Sequence, residues 1–217
     1  MVEHYLDTVG VTGSNPVSRT ILHHGAMRDS SEILRQAMAD AHRVIEAVAD
    51  LELAIGQAAE VITSCLTSGH KLLVCGNGGS AADAADFCTE FACRFVQDRR
   101  PYPAMNLSQG GSLLTATGND YGFDAIFARQ IAAFAQAGDV LIVISTSGKS
   151  ANIRCALEEG KSRKLKTIAL LGRDGGASKG IAEIELIVKA ESTARIQEAH
   201  KFLLHVLCEI CEARLPK

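Results

Sequence analysis

"GDVLIVISTSGKSANI", residues 138–153, decides the fold. Val140 to Ile144 form a continuous apolar run that is short for a helix and fits a strand buried on both faces. It runs into Ser145, Thr146, Ser147, Gly148, Lys149 and Ser150, and a helical pattern follows. Four hydroxyls in six positions exceed what capping one helix requires. Hydroxyl donors, a glycine that lets amides converge and the positive end of a helix together hold an oxyanion. A phosphate is therefore expected at the tip of this strand.

The same alternation extends in both directions. Apolar residues at helical spacing predict helices over 30–48 and 52–68, then a strand at "KLLVC" (71–75) and a helix over 80–95. "PAMNL" (103–107) reads as a strand, and 111–117 and 123–136 as helices. Beyond the strand at 139–145 come a helix over 150–163, strands at 166–172 and 184–189, and a helix from Thr193 to Arg214. Strands alternating with helices imply an α/β fold: a five-stranded parallel sheet between two helical layers, preceded by two helices. Residues 1–28 carry Gly10, Gly13 and Pro16 without a sustained period and read as a poorly ordered extension. Residues 29–217 read as one domain.

Composition excludes several classes. A formal net charge of -3 gives no global basic field for nucleic acid or an anionic membrane. The apolar runs are too short to span a bilayer, and the first twenty residues lack the pattern of a secretory signal. Seven cysteines, an odd number, show no disulfide framework, which points to reduced thiols and a cytoplasmic protein. Cys208 and Cys211 form a CxxC inside a helical pattern, with no second pair, and read as thiols rather than zinc ligands.

Two further segments carry unusual chemistry. In "CGNGGSAADAAD" (75–86), Gly76, Gly78 and Gly79 allow tight turns and close backbone approach. Ser80 is placed to cap the next helix, with Asp83 as its capping-box partner. The loop lacks the "GK[ST]" of a Walker motif and the register of a dinucleotide fingerprint. A connector that only turns the chain is the plainer alternative. In "ARIQEAHKFLLH" (194–205), Gln197 and His205 lie eight residues apart, nearly on one helical face, with Lys201 between them and His200 off it. Asp86 and Glu90 are carboxylates one turn apart on a shared face, which repel unless something positive lies between them. A metal ion or a raised pKa would relieve that conflict.

With "CGNGGSAADAADFCTEFACRF", "ATGNDYGFDAIFARQ", "GDVLIVISTSGKSANI", "LLGRDGG" and "ARIQEAHKFLLH" in order, the chain from about residue 29 to 214 resembles the bacterial phosphoheptose isomerases. These are sugar isomerase (SIS) domain enzymes that act on sedoheptulose 7-phosphate. The resemblance implies a flavodoxin-like sheet, a homotetramer with active sites between subunits, and an aldose-ketose isomerisation. The product implied is D-glycero-D-manno-heptose 7-phosphate, used in nucleotide-activated heptose biosynthesis, as for lipopolysaccharide.

The resemblance also implies a site. Asn77, Gly78, Gly79 and Ser80 match the loop along the sugar, and Asn119 and Asp120 the pair that contacts its hydroxyls. Ser145, Thr146, Ser147 and Ser150 match the phosphate cradle. Glu90 and His205 match the catalytic pair, with Glu90 and Gln197 also in the substrate set. Asp86, Glu90, Gln197 and His205 match the ligands of one Zn2+ per subunit, but Asp86 stands where the family usually has histidine. The related DnaA initiator-associating protein, a non-catalytic scaffold, lacks the acid and histidine matched by Glu90 and His205. A sugar-phosphate-sensing regulator would need a DNA-binding module, for which residues 1–28 are too short and too weakly basic.

Overall fold

Alternation along each strand sorts the apolar residues into two cores, one on either side of a single sheet. The computed structural model describes residues 29–216. The strands are β1 (Leu72–Gly76), β2 (Ala104–Asn106), β3 (Val140–Ser145), β4 (Lys166–Gly172) and β5 (Ile184–Val188). They are all parallel, in the order β2-β1-β3-β4-β5. This is the doubly wound order of flavodoxin-like folds. Leu72, Val74, Ile142, Ile144, Ile168 and Leu170 face one core, and Leu73, Cys75, Leu141, Val143, Ala169 and Leu171 face the other. The expected extension over residues 1–28 lies outside the described residues.

The helices are α1 (Ser30–Ala47), α2 (Glu52–Thr67), α3 (Gly79–Ala92), α4 (Gly111–Tyr121), α5 (Ala128–Phe134), α6 (Ala151–Ser162) and α7 (Thr193–Arg214). The first core packs under α2, α3 and α7, and the second under α5 and α6. Among the described residues, no helix is long and apolar enough to cross a membrane. All seven cysteines are free, and Cys208 and Cys211 are buried in the first core.

Three helices differ from expectation, the first being α4, which runs four residues beyond the expected 111–117 to Tyr121. The stretch over 123–136 splits into a 3-10 turn, Phe123–Ala125, and α5. There the buried Gln130 side chain donates to the carbonyls of Leu107 and Ile126 (2.8 and 2.9 Å), tying the split to the end of β2. α3 stops at Ala92 rather than Phe95. The Arg99 guanidinium takes the Glu90 and Phe91 carbonyls (2.5 and 3.0 Å), satisfying acceptors that a helix end leaves open.

On α7, His200 is fully buried, and neither ring nitrogen makes a hydrogen bond of good geometry. Burial pushes its pKa down to about 4, opposed in part by the nearby Leu171 carbonyl. The imidazole is thus neutral in the fold, while the unfolded chain takes up a proton below its ordinary pKa of about 6.5. The resulting stability is fully present above about pH 6.5 and is lost progressively toward pH 4, by up to about 3 kcal/mol. His200→Leu should flatten the pH dependence of urea unfolding in that window. Equal slopes in the two proteins would show that His200 is not the cause.

Candidate functional site

The chain leaves β1 for β2 on one side and later returns to place β3 on the other. Ligands in such sheets gather at the carboxyl edge beside that reversal, and two unusual loops meet there. Gly76 ends β1, where a Cβ would stand 2.6 Å from the Ser80 carbonyl oxygen. Its amide donates to Ser108 Oγ (3.0 Å), and that hydroxyl donates back to the Gly76 carbonyl (2.8 Å). Gly78, at φ +56°, is the N-cap of α3. Ser80 is therefore not the cap that its position suggested: it lies buried inside the first turn and makes no capping bond.

Asn77 and Asn152 face each other as a two-way amide pair, each Nδ2 donating to the other's Oδ1 (2.9 and 3.0 Å). The pair ties the glycine loop to α6. In the hydroxyl loop, Ser145 Oγ accepts from the Gly148 amide (3.0 Å) and Ser147 Oγ from the Lys149 amide (3.2 Å). Each hydroxyl used as an acceptor still has its proton to donate. Gly148 sits at φ +61°, where a Cβ would collide with the Gly175 carbonyl. Ser150 is the N-cap of α6, yet its side chain makes no capping bond. Helix capping thus does not account for these hydroxyls, whereas an incoming oxyanion would.

The second half of the site runs along α3 and α7, which lie parallel on one face of the sheet. Gln197 fills the space that a side chain at Gly79 would need. One turn on, Lys201 Nζ lies 3.0 Å from Asp83 Oδ1 and 2.5 Å from Asp86 Oδ2. Glu90 and His205, both half-buried, follow another turn along, and the His205 ring sits 6.0 Å from that of Phe95. Glu212 closes the far end by accepting from the Val96 and Gln97 amides (3.2 Å each).

Asp83 corrects the capping-box expectation. It is buried, and Lys201 supplies its counter-charge. Burial works against charge on Lys201, but its bonds to Asp86 and Asp83 prevail and hold its pKa above the ordinary lysine value. The pair with mostly exposed Asp86 contributes about 0–1 kcal/mol. Removing the partner of a buried carboxylate such as Asp83 costs more, about 3–5 kcal/mol.

Within one chain these residues do not gather around a divalent cation. Lys201 already fills the side of Asp86 that faces α7. Among the described residues, no three His, Cys, Asp or Glu side chains cluster as a cation site. Asn119 and Asp120 are exposed near the end of α4, where the Asn119 amide donates to Asp120 Oδ1 (2.8 Å). α4 packs mainly on the 3-10 turn at Phe123–Ala125. Asn152 and Ser108 were not singled out in the sequence, because a buried asparagine in a helix and a serine after a strand carry no motif. Lys201 offered a signal: it sits midway between Gln197 and His205 and faces an acid pair.

Comparison with known proteins agrees with this geometry. The SIS domain family model matches residues 15–172. Together with the sheet order and the hydroxyl loop, that match defines a SIS-domain protein. The phosphoheptose isomerase of Citrifermentans bemidjiense is 47% identical over 184 residues, 85% of this chain and 96% of that protein. That of Geobacter sulfurreducens is 50% identical over 175 residues, 80% of this chain and 92% of its own. The solved phosphoheptose isomerase of Francisella tularensis superposes with a TM-score of 0.80 at 38% identity, covering 86% of this chain and all of that one. The Neisseria gonorrhoeae phosphoheptose isomerase gives 0.79 at 40% identity, covering 84% and 98%. The chain belongs to the phosphoheptose isomerase family.

Asn152→Ala should leave Asn77 without its partner in a mostly buried position and cost about 1–3 kcal/mol of folding stability. Asn77→Ala combined with it should cost less than the sum of the two single changes. Strict additivity in denaturant unfolding would show that the amide pair contributes nothing.

Proposed function

We propose that this chain interconverts sedoheptulose 7-phosphate and D-glycero-D-manno-heptose 7-phosphate, an aldose-ketose isomerisation that supplies nucleotide-activated heptose biosynthesis. The observation that carries the reading is the hydroxyl cradle beside the strand reversal, in a chain of this family. Ser145, Thr146, Ser147 and Ser150 bind the phosphate, and Asn77 to Ser80 line the sugar. Asn119 and Asp120 contact the sugar hydroxyls, and Gln197 orients the substrate.

The reaction moves a proton from C1 to C2 of the ketose through an enediol, while the carbonyl oxygen at C2 gains a proton and the C1 hydroxyl loses one. Such transfers need one group able to take the carbon proton and another near the oxygens. Glu90 and His205 fill those roles. No step is assigned to a metal.

The sugar loop at the start of α3 and the acid–base pair of the same chain stand far apart along that helix. Glu90 lies eleven residues into α3, about 16 Å along the axis from its start. A fully extended seven-carbon sugar phosphate, with bonds near 1.5 Å, spans about 11 Å. This supports active sites shared between subunits of a homotetramer. α1 supports assembly independently: none of its residues is buried, while Ile33, Leu34 and Met38 are 53%, 60% and 63% exposed. An exposed apolar stripe of that kind marks an interaction face.

Purified protein incubated with sedoheptulose 7-phosphate should give the aldoheptose by NMR, and unphosphorylated sedoheptulose should react far more slowly. Glu90→Gln and His205→Ala should each lower turnover at least about 100-fold. Wild-type rates in either folded variant would remove that residue from the mechanism.

Shared sites make a separate expectation. Chains carrying Glu90→Gln, co-assembled with chains carrying Ser147→Ala and Ser150→Ala, should regain activity that neither has alone. If both groups act within one chain, co-assembly restores nothing.

A further inference from the structure

Three carboxylates, Asp83, Asp86 and Glu90, line the side of α3 that meets α7. Opposite them, α7 presents Gln197, Lys201 and His205 at successive turns. The resemblance expects a metal ion in this cleft, with a histidine at position 86. Position 86 holds an aspartate instead, and against it stands a lysine whose ammonium lies 2.5 Å away. The same ammonium reaches Asp83 at 3.0 Å, a carboxylate whose side chain is 3% exposed and is shielded from other cations. A histidine at 86 would gain nothing from a lysine opposite, whereas an aspartate there gains a counter-ion.

We propose that the Lys201 ammonium is the resident cation of the α3–α7 acid cluster, standing in for a divalent metal and excluding one. Like charge is the reason for the exclusion. A zinc ion bound at Asp86 would have to sit beside the ammonium or displace it, and displacement strips Asp83 of its partner. Hydrogen bonds from one fixed ammonium to two carboxylates relieve the repulsion along α3 without a solution ion. The isomerisation then proceeds with Glu90 and His205 in a cleft whose positive charge is part of the polypeptide. The cation assignment does not depend on the substrate reading, because cation binding is measured without turnover.

The test follows zinc binding by thermal unfolding and titration calorimetry, with elemental analysis of the purified full chain. The unaltered protein should carry no stoichiometric metal, and zinc should leave its melting temperature unchanged. Asp86→His combined with Lys201→Leu removes the ammonium and restores a nitrogen ligand that zinc accepts. That variant should bind zinc at least about tenfold more tightly and melt at temperatures that rise with zinc concentration. Asp86→His with Lys201→Gln, which keeps donors to Asp83 but removes the charge, should behave likewise and guards against a variant that fails to fold. Stoichiometric zinc in the unaltered protein, a melting response as steep as the variants', or variants that fold but ignore zinc would each overturn the proposal. Turnover that persists unchanged in chelator supports it, and loss of turnover in chelator with rescue by zinc overturns it. Absence of any isomerase activity would instead remove the substrate reading and leave the zinc measurements intact.

Discussion

A parallel sheet covered on both faces leaves nowhere for polar chemistry except the ends of its strands. Val140 to Ile144 are buried throughout, and so are Leu72 to Gly76 on β1 and Thr167 to Leu171 on β4. Any hydroxyl or amide that meets a ligand must therefore stand where a strand gives way to a loop. The reversal of strand order beside β1 parts two such loops just enough to admit a small molecule. Ser145 to Ser150 and Gly76 to Ser80 lie in those loops, stitched by Ser108 on one side and by the Asn77–Asn152 pair on the other. Fold and binding edge are the same constraint seen at two scales.

A second constraint is electrostatic. α3 carries three acids along one side, and a helix with that pattern would repel itself if the side faced only water or apolar groups. α7 meets it with a lysine at the level of the first two. The chain thus supplies its own counter-charge to Asp83 and Asp86. Along α3, Gly79 and Glu90 stand eleven residues, about 16 Å, apart.

Much of this was legible in the residues. The continuous apolar runs located all five strands, and the 3.6-residue period located α1, α2, α6 and α7 to within a residue or two. The hydroxyl loop declared itself because it exceeded the needs of a helix cap, and Ser150 indeed leaves its cap unused. Helix ends set by distant groups were not legible. α3 stops three residues early because Arg99 folds back onto its last carbonyls, a contact that no local pattern encodes. Ser80 and Asp83 have the spacing of a capping box, but a glycine at positive φ took the cap and a lysine 118 positions away took the acid. Lys201 could be placed on the right face from spacing, but its partner required knowing that α3 and α7 run side by side.

α3 and α7 are held together at both ends. Gln197 abuts Gly79 at one, and Glu212 receives the amides beyond α3 at the other. With two anchors this far apart, neither helix can slide or splay without breaking both. Groups carried between these contacts are positioned by the fold of the two helices. The orienting work that a mobile loop performs at each turnover is completed here once, when the chain folds. Such a frame favours fast commitment of a substrate that already matches it and has little capacity to remould itself around one that does not.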